Sequence, residues 1–593
     1  MNYLLITLGH NSSAIFVDND RADKKPIVIG YEQERFSKLK ADSQFPIDAI
    51  NEIIYNVGIK KLKQSKCLVS HWFNLNEGNM PNKYITYSDL MFLKDITAEI
   101  KFVDKAFTHH DAHMMSAYAF YKYFVKYDTA EPVYYLVADG FGNNEEVISL
   151  YVKISGLDKP CLIKKVYGYE HSLGLMYQYA TSYTGMKENQ DEYKFLGYEA
   201  HINECLSKGA IDTIAKMANE AIEVNFRFAI RHEKTDTIPP TAISAIDFSR
   251  SKLEAIKIHW HSHFSDVLDK IGIDISSKEE TSSFAARVAI AFYIQRIVET
   301  TIKHICKNYA IKNLCCAGGL FYNVKLNNTI LNSIDGRLCV MPLAGDQGAA
   351  IGMYANEPNA PQFPFDTLAI GPRRLYNIEK YIKATPGAEL LPAGQCAYRK
   401  IAYDIANGKI VNLVFGNMEF GPRALCNTSS IFLPSASNVA KNNHNNARNE
   451  VMPCAPVCID NDARALFEEY ELDRIIGSTN FMICTCTYKK QYSNVYGGVM
   501  HKIPEPNNTT PEYKYSGRPQ IISSKAEEGT HEYAIREILK NVKAMADAKC
   551  LVNTSFNTHG QPIVFDTADI VRNFKIQREN AYEPDDVKLY ILV

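Results

Sequence analysis

The chain has 593 residues, of which 46% are hydrophobic and 22% charged, and its formal net charge is −2. This length and composition indicate a globular protein with more than one domain, and the near-zero charge argues against a dedicated nucleic-acid-binding surface. The 14 cysteines include no CxxC pair, and no secretory signal precedes the first apolar run. We therefore predict reduced thiols, a cytoplasmic location and no membrane partner.

The N-terminal part contains two units of strand, glycine-containing turn and strand. The first unit has strands at 3–8 and 14–17, and a third strand follows at 26–31. The second unit has strands at 133–137 and 147–154 around a tip that contains Asp139 and Gly140. Backbone N–H groups at such tips can approach a phosphate. The duplication is typical of the actin-like and sugar-kinase architecture, in which a nucleotide lies between two related lobes.

Residues 107–113 place three histidines within five positions. On a helix, His109 and His113 occupy positions i and i+4 of one face, with Cβ atoms about 5–6 Å apart. Two imidazoles in this arrangement suit one Fe, Zn, Ni or Cu ion. The alternative is that three histidines simply share a surface turn, and this pattern alone favours that alternative.

Two glycine-flanked loops follow later strands. Asp346 lies between a strand at 338–341 and a helix of small residues, where its carboxylate either completes a metal site or caps the helix. Gly318 and Gly319 lie between a strand at 313–316 and a helix. A glycine pair in that position permits close approach of a phosphate to the backbone.

Three further segments have structural interpretations. The dense charge of residues 32–40, taken alone, indicates a solvated helix start. The histidine cluster at 259–263 lies among apolar residues at helical spacing, so we expect a structural role. Charged and polar side chains interrupt the apolar stretch 284–306, which predicts an amphipathic core helix and no membrane span.

The proline-containing residues 357–372 indicate a connection between domains. We predict a first domain at residues 1–370, a linker at 371–394 and a second α/β domain at 395–593. Within the second domain, Arg423 offers a planar fork suited to phosphate or carboxylate. Asn553 and Ser555 follow a later strand and can supply directional hydrogen bonds.

Seven motifs occur in one order over nearly the whole chain: HHxxHxxSA, DGxG, EYKxxG, AGGxxxN, GDxG, MEFGPRAL and NTSFN. In this order the chain resembles the O-carbamoyltransferases of nodulation-factor and antibiotic biosynthesis. The resemblance implies an actin-like N-terminal domain, related to the tRNA threonylcarbamoyl-adenosine synthases, and a YrdC-like C-terminal domain. It also implies that carbamoyl phosphate and ATP form carbamoyl-adenylate, and that the carbamoyl group then passes to an acceptor hydroxyl.

The resemblance implies a role for each matching residue. A divalent metal, iron or another ion, would be held by His109, His113 and Asp346, while Mg²⁺ accompanies ATP. The nucleotide would be bound by Asp139, Gly140, Gly318, Gly319 and Asn323. Carbamoyl phosphate would be bound by Arg423, Arg448, Asn553 and Ser555. Catalytic roles fall to His10, Lys40 and Arg423, and His10 is a candidate base for the acceptor hydroxyl because histidine titrates near neutrality.

The sequence departs from the family pattern at several positions. Asn143 stands where the family's DGxGE motif has an acid, and Cys426 and Thr428 replace a Gly and an Arg. Asn446 and Met452 stand where a donor-binding Lys and Arg are expected. Each lost charge-assisted contact is worth about 1.5–3 kcal/mol, so we expect a weaker or differently built donor pocket.

Two alternatives therefore stay open beside the carbamoyltransferase interpretation. The first is a transferase that forms an acyl-adenylate from another donor, and the second is a non-catalytic actin-like nucleotide-binding protein. The candidate acceptors are sugars, antibiotics and hydroxymethylated pyrimidine nucleotides or DNA, so that nucleic acid enters only as an acceptor. The sequence leaves the acceptor, the metal and any oligomer undetermined.

Overall fold

The structure is a computed structural model that describes residues 1–19, 25–72, 84–104, 106–126, 130–230, 245–275, 280–448, 454–492, 496–504 and 513–593. Met452, at which a donor-binding arginine is expected, lies outside the described residues.

The first lobe is built on a five-stranded sheet. Its strands β1 to β5 are Asn2–Thr7, Ser13–Asp18, Ile27–Glu32, Ser65–Trp72 and Glu99–Val103. Its helices α1 to α4 are Glu34–Ser37, Ile47–Val57, Ile59–Leu62 and Tyr87–Ile96. The strand order is β3-β2-β1-β4-β5, with antiparallel pairs among β1 to β3 and parallel pairs from β1 to β4 and β5.

The second lobe follows α5, His109–Phe124. Its strands β6 to β10 are Val133–Ala138, Glu146–Lys153, Cys161–Tyr167, Asn313–Ala317 and Leu338–Val340. The order β8-β7-β6-β9-β10 repeats the first sheet, with the same antiparallel and parallel pairs. This repeat confirms the duplicated, actin-like architecture predicted from the two hairpins.

A helical layer covers the second lobe. Helices α6 to α14 are Leu173–Tyr183, Glu192–Tyr198, Ile202–Cys205, Lys208–Asn225, Arg227–Ile230, Ala245–Ile271, Glu280–Asn308, Val324–Leu331 and Asp346–Asn356. Trp260 of α11 is fully buried beside Phe264, as its helical spacing predicted. Among the described residues, no helix is both long and apolar enough to cross a membrane.

The second domain is organised around a mixed seven-stranded sheet. Strands β11 to β22 are Ala369–Gly371, Ala388–Leu391, Ile410–Phe415, Met418–Glu419, Thr428–Phe432, Ala455–Ile459, Cys486–Thr487, His501–Pro504, Tyr513–Gly517, Gln520–Ile522, Leu551–Ser555 and Val587–Leu592. Helices α15 to α21 are Ile378–Lys383, Gln395–Ala406, Ala436–Asn445, Asp460–Leu466, Glu469–Leu472, His531–Ala546 and Thr567–Asn580. The sheet order is β12-β22-β13-β15-β21-β16-β20.

Two sequence-based expectations need correction. Strand β12 lies within the supposed linker 371–394, yet it pairs in parallel with β22, so the second domain takes up part of that segment. The charged segment 32–40 is not a solvated helix, because Glu32 and Arg35 are almost completely buried against the second domain. The charge pattern gave the wrong expectation because both residues also bind the backbone of Gly421, which is almost 400 positions away in the sequence.

Helices α5 and α14 lie between the two sheets and cross at very short range. A Cβ atom added to Gly352 of α14 would lie 1.7 Å from the carbonyl oxygen of Ala112 in α5. The first turns of the two helices carry His109, His113 and Asp346. This backbone contact therefore sets the distance between the histidines and the carboxylate.

The contact predicts the effect of Gly352→Ala. An added methyl group must push α14 away from α5, and overpacking of this kind costs about 1–3 kcal/mol of unfolding free energy. The matched control is Gly209→Ala in the exposed part of α9, where an added Cβ meets nothing within 4 Å. We expect the control to be neutral or to raise stability by up to about 1 kcal/mol, because alanine favours a helix. Equal urea-unfolding midpoints for the two variants would contradict the close helix crossing.

Candidate metal and anion sites

The histidine helix is anchored at its first turn. Thr108 forms a capping box at the start of α5. The loop after β6 supplies two further acceptors: Asn143 Oδ1 accepts the N–H of His109 at 2.8 Å, and Glu146 Oε1 accepts the N–H of His110 at 2.9 Å. Asn143 thus keeps an acceptor at the position where the family has an acid, and the substitution is compatible with an intact helix start.

Four side chains converge on one point. His109 Nε2 lies 3.1 Å from His113 Nε2, 3.2 Å from Asp346 Oδ1 and 3.5 Å from Asp139 Oδ2. All four ligand atoms lie within 4.8 Å of one another. Atoms that share one divalent ion at about 2.0–2.2 Å are themselves about 3 Å apart, so the group has the dimensions of a metal site.

The electrostatics of this group favour a cation. Burial alone would lower the pKa of His109, but the carboxylates of Asp346 and Asp139 raise it well above its ordinary value. Burial would also raise the pKa of Asp139, but its hydrogen bonds to His109 and His113 hold it well below the usual range. His109 Nδ1 faces the carbonyl oxygen of Ser70 at 3.3 Å, which leaves Nε2 directed at the carboxylates. The group offers two nitrogen donors and two oxygen donors in surroundings that favour a positive charge, and this ligand set fits Fe or Zn.

Sequence reasoning placed Asp139 with the nucleotide and missed it as a candidate metal ligand. Its Oδ2 atom faces both histidines, while Oδ1 accepts the N–H groups of Gly140 at 2.8 Å and Gly319 at 3.1 Å. One carboxylate therefore joins the candidate metal group to both glycine loops. The signal that this Asp shares a site with Asp346 is topological, because β6, β9 and β10 are parallel neighbours, so that Asp139 after β6 and Asp346 after β10 lie at the same edge of the sheet.

The predicted nucleotide residues divide into two groups. Gly318 has φ +101°, and an added Cβ would lie 2.2 Å from the carbonyl oxygen of Ala138, so this position requires glycine. Gly140 faces open space, as a ligand contact requires. The side chain of Asn323 is instead engaged within the protein, because its Oδ1 caps α13 and its Nδ2 donates to Gln295 at 2.7 Å.

The predicted catalytic residues His10 and Lys40 have different neighbours. His10 is 51% exposed and its Nδ1 lies 4.0 Å from Asp346 Oδ2. The Lys40 ammonium lies 5.3 Å from the centre of the Tyr193 ring, in the EYKxxG motif of α7. The neighbouring Glu192 is within electrostatic reach of His10, so α7 contributes to the surroundings of both residues.

The loop that carries Arg423 is held by one buried carboxylate. Glu419 Oε1 accepts the backbone N–H groups of Leu425, Asn427 and Thr428 at 2.8, 2.9 and 2.9 Å. Three such donors fix the loop around Glu419. The glutamate of the MEFGPRAL motif therefore stabilises the local structure. Arg423 of the same motif is the charged side chain that is available to bind a ligand.

A second arginine, Arg518, lies beside Arg423 and was missed by the sequence analysis. Burial and the neighbouring Arg423 hold the pKa of Arg518 well below its usual range, and burial also lowers that of Arg423. Among the described residues, the Nε atoms of both arginines are buried without a hydrogen-bond partner, and no carboxylate lies within ion-pair distance of either. Two adjacent guanidinium groups without a counterion form a candidate anion site.

The other predicted donor-binding residues lie on β21 or contact it. Arg448 is largely buried and donates to Ser555 Oγ at 3.3 Å and Asn557 Oδ1 at 2.8 Å, both of which are neutral acceptors. Asn553 Nδ2 donates to the carbonyl oxygen of Ala424, next to Arg423, at 2.9 Å. Strand β21 therefore links Arg448 to the Arg423 loop.

Asn446, which replaces the expected lysine, takes part in a chain of neutral amides. It is 1% exposed, its Nδ2 donates to the Asn442 carbonyl oxygen at 2.8 Å, and its Oδ1 accepts from Gln577 at 2.7 Å. Gln577 in turn accepts from Asn412 at 2.6 Å. The side chain of Asn446 is thus used within the protein, and its position carries no charge for a donor.

Two family models match the chain: Carbamoyltransferase N-terminus at residues 90–355 and Carbamoyltransferase C-terminus at residues 402–583. Together the matches span well over half of the chain. The chain therefore belongs to the carbamoyltransferase family, and it is an enzyme of the transferase class. This confirms the family resemblance that the motifs predicted.

Relatives match along most of their length. The chain is 24% identical over 596 residues to nodulation protein NolNO of Sinorhizobium fredii, with 96% of this chain and 77% of that protein covered. It is 24% identical over 426 residues to nodulation protein U of Azorhizobium caulinodans, with 70% and 68% covered. An uncharacterized protein of Methanocaldococcus jannaschii is 24% identical over 580 residues, with 95% of each chain covered.

The similarity to solved structures is slight. Component A of the Acidaminococcus fermentans (R)-2-hydroxyglutaryl-CoA dehydratase gives a TM-score of 0.28 at 11% identity, over 59% of this chain and 95% of that chain. The duplicated, actin-like architecture is instead evident from the strand order that the two sheets share.

The four-residue group predicts metal loss on substitution. His109→Ala and His113→Ala should each lower the affinity for Fe²⁺ or Zn²⁺ at least about 100-fold, because each removes one ligand from the group. Asp139→Asn should do the same, although sequence reasoning had placed this residue with the nucleotide. The control is His263→Ala on α11, which lies outside the group. Metal content would be measured by elemental analysis after dialysis, and full occupancy in all three variants would refute the assignment.

Glu192 predicts a dependence of stability on pH. Burial raises the pKa of Glu192 to about 7, so the folded state holds this proton more tightly than the unfolded state does. Ionisation of this carboxyl group therefore destabilises the folded state. This destabilisation is absent below the unfolded pKa of about 4.3 and complete above about 7. We therefore expect the unfolding free energy of Glu192→Gln, relative to that of the wild type, to increase by up to about 3 kcal/mol as the pH rises from about 5 to about 8. A difference that stays constant with pH would contradict the shift.

Proposed function

We propose that this protein is an ATP-dependent O-carbamoyltransferase that forms carbamoyl-adenylate from carbamoyl phosphate and ATP and transfers the carbamoyl group to an acceptor hydroxyl. The observation that carries the proposal is the position of Tyr322. This partly buried phenol lies within electrostatic reach of Arg423 in the second domain and of Asp346 in the metal group. A donor bound at Arg423 would therefore lie close to the lobes that would carry out the transfer.

The first reaction makes strong demands on charge. Water must first release inorganic phosphate from carbamoyl phosphate, and an oxygen of the resulting carbamate must then attack the α-phosphorus of ATP and expel pyrophosphate. Negative charge gathers on phosphate oxygens throughout, so cations in fixed positions should supply most of the rate enhancement. Arg423 and Arg518, which have no described carboxylate partner, would bind these oxygens, and Arg448 would support the donor from its position beside β21.

The second reaction places the acceptor near His10. The acceptor hydroxyl attacks the carbamoyl carbon, AMP leaves, and the hydroxyl proton passes to a base. His10 lies beside Asp346 and is accessible to an acceptor from solvent. Lys40, close to Tyr193, would neutralise charge on the departing phosphate. The lack of side chains at Gly140, Gly318 and Gly319 would let the nucleotide approach the backbone closely.

A divalent ion held by His109, His113, Asp139 and Asp346 would polarise phosphate or carbonyl oxygens when bound. The protein's own part is to fix these four ligands through the α5–α14 crossing and the Ser70 contact. Mg²⁺ would accompany ATP as part of the substrate.

Asn446 supports a second candidate, a transferase that forms an acyl-adenylate from a different donor. Its neutral, fully engaged side chain leaves this donor pocket with less positive charge than the family pattern predicts. The three arginines without a described carboxylate partner nevertheless favour an anionic donor such as carbamoyl phosphate.

Pyrophosphate release from ATP tests the proposal. We expect release to depend on carbamoyl phosphate, whereas release that ignores carbamoyl phosphate would favour the second candidate. No release with any donor would refute adenylate formation. A panel of sugars, aminoglycosides and hydroxymethylated pyrimidine nucleotides with ¹³C-carbamoyl phosphate would then identify the acceptor.

The arginine pair predicts the effect of Arg518→Gln on this reaction. Loss of one charge-assisted contact of about 1.5–3 kcal/mol should raise KM for carbamoyl phosphate about 10- to 150-fold. Arg464→Gln is the matched control, because this arginine of the same domain is half exposed and pairs with Asp473 at the surface. An unchanged KM in Arg518→Gln would remove this residue from the donor site.

A further inference from the structure

A buried group of charges joins the first lobe to the second domain. Arg35 is 1% exposed, and its guanidinium donates to Glu32 Oε2 at 2.5 Å and to Glu34 Oε1 at 2.7 Å. The same guanidinium donates to the carbonyl oxygen of Gly421 at 3.0 Å. We call Glu32, Glu34, Arg35 and the backbone of Gly421 the Arg35 clamp.

The clamp holds Gly421 by both of its backbone groups. While Arg35 binds the carbonyl oxygen, Glu32 Oε2 accepts the Gly421 N–H at 3.1 Å. Gly421 precedes Pro422 and Arg423, so the turn that carries Arg423 is tied to the first lobe two residues before the guanidinium.

The same turn is also seated on the loop of the candidate metal group. Gly421 has φ +97°, and an added Cβ would lie 2.5 Å from the side chain of Leu343, three residues before Asp346. Only glycine fits a left-handed position that is packed so closely. The turn therefore touches the first lobe through Arg35 and Glu32, and the second lobe through Leu343.

We propose that Arg35 and Glu32 are positioning residues that hold Arg423 at the donor site in register with the metal-binding lobes. The proposal rests on the proposed function, because it assigns the clamp to the geometry of donor activation. Neither residue touches the donor, and both act through the turn at Gly421.

The chemistry of the clamp favours positioning over simple stabilisation. Buried ion pairs often contribute little net stability, because the desolvation of the charges offsets their attraction, and fixing a unique register is their best-attested use. In the part of the chain that the structure describes, the Arg35 Nε atom has no hydrogen-bond partner, so the group is not optimised for stability alone. A planar guanidinium is needed here, since a single ammonium cannot contact two carboxylates and a carbonyl oxygen in one plane.

Arg35→Lys tests the clamp, because it keeps the charge and removes the planar fork. We expect KM for carbamoyl phosphate in pyrophosphate release to rise about tenfold, as for one lost hydrogen bond, with kcat little changed. We also expect faster hydrogen–deuterium exchange of the Gly421 amide, measured on a peptide spanning 419–426. The double variant Arg35→Lys with Arg423→Lys should have the KM of Arg423→Lys alone, because the clamp acts only through Arg423.

Arg374→Lys is the matched control. Arg374 pairs with Glu52 at 2.6 Å and also bridges the first lobe and the second domain, but it has no contact with the Gly421 turn. We expect it to leave KM and the exchange of residues 419–426 unchanged. Should Arg35→Lys fail to fold, Glu32→Ala gives the same test, since it removes the acceptor of the Gly421 amide while Arg35 keeps Glu34 as its ion-pair partner.

Different results overturn the clamp and the proposed function. Wild-type KM and wild-type exchange in Arg35→Lys would overturn the clamp, as would KM effects that multiply in the double variant. Absence of carbamoyl-phosphate-dependent pyrophosphate release from the wild type would overturn the proposed function. In that case the exchange of the Gly421 amide still decides whether the clamp holds the turn.

Discussion

The backbone contact between α5 and α14 is the constraint on which the arrangement of the protein depends. Gly352 lets α14 approach the Ala112 carbonyl so closely that no side chain fits between the helices. The two helices lie between the duplicated sheets, and α14 continues from the loop of Asp346 while α5 begins with the histidines. Their separation therefore determines whether four ligand atoms meet at one point.

The electrostatics divide the molecule into two complementary regions. The lobes gather carboxylates around histidines, an arrangement that favours a bound cation. The second domain instead contains Arg423, Arg518 and Arg448, for which no described carboxylate serves as a counterion. Burial of guanidinium groups without a counterion is costly, so their presence is best explained by an anion that binds during the reaction. Tyr322 lies within electrostatic reach of both regions, through Arg423 on one side and Asp346 on the other.

Much of the first domain could be predicted from local sequence. The two hairpins and the i, i+4 spacing of His109 and His113 are short-range patterns, and the structure shows the elements they predict. The features that sequence reasoning missed depend on long-range contacts. Asp139 joins the metal group because β6 and β10 are parallel strands of one sheet that are joined through β9, and Arg35 is buried because it meets Gly421. Arg518 carries no local signal, and β12 escaped prediction because its partner β22 ends the chain.

Crystals grown with divalent metal, carbamoyl phosphate and a non-hydrolysable ATP analogue would test the central claim most directly. We expect anomalous scattering to place one ion about 2.0–2.2 Å from the Nε2 atoms of His109 and His113. The donor phosphate should lie within hydrogen-bonding distance of Arg423 and Arg518, on the side that faces Tyr322. An ion bound away from the four ligands, or a phosphate bound away from both arginines, would contradict the account.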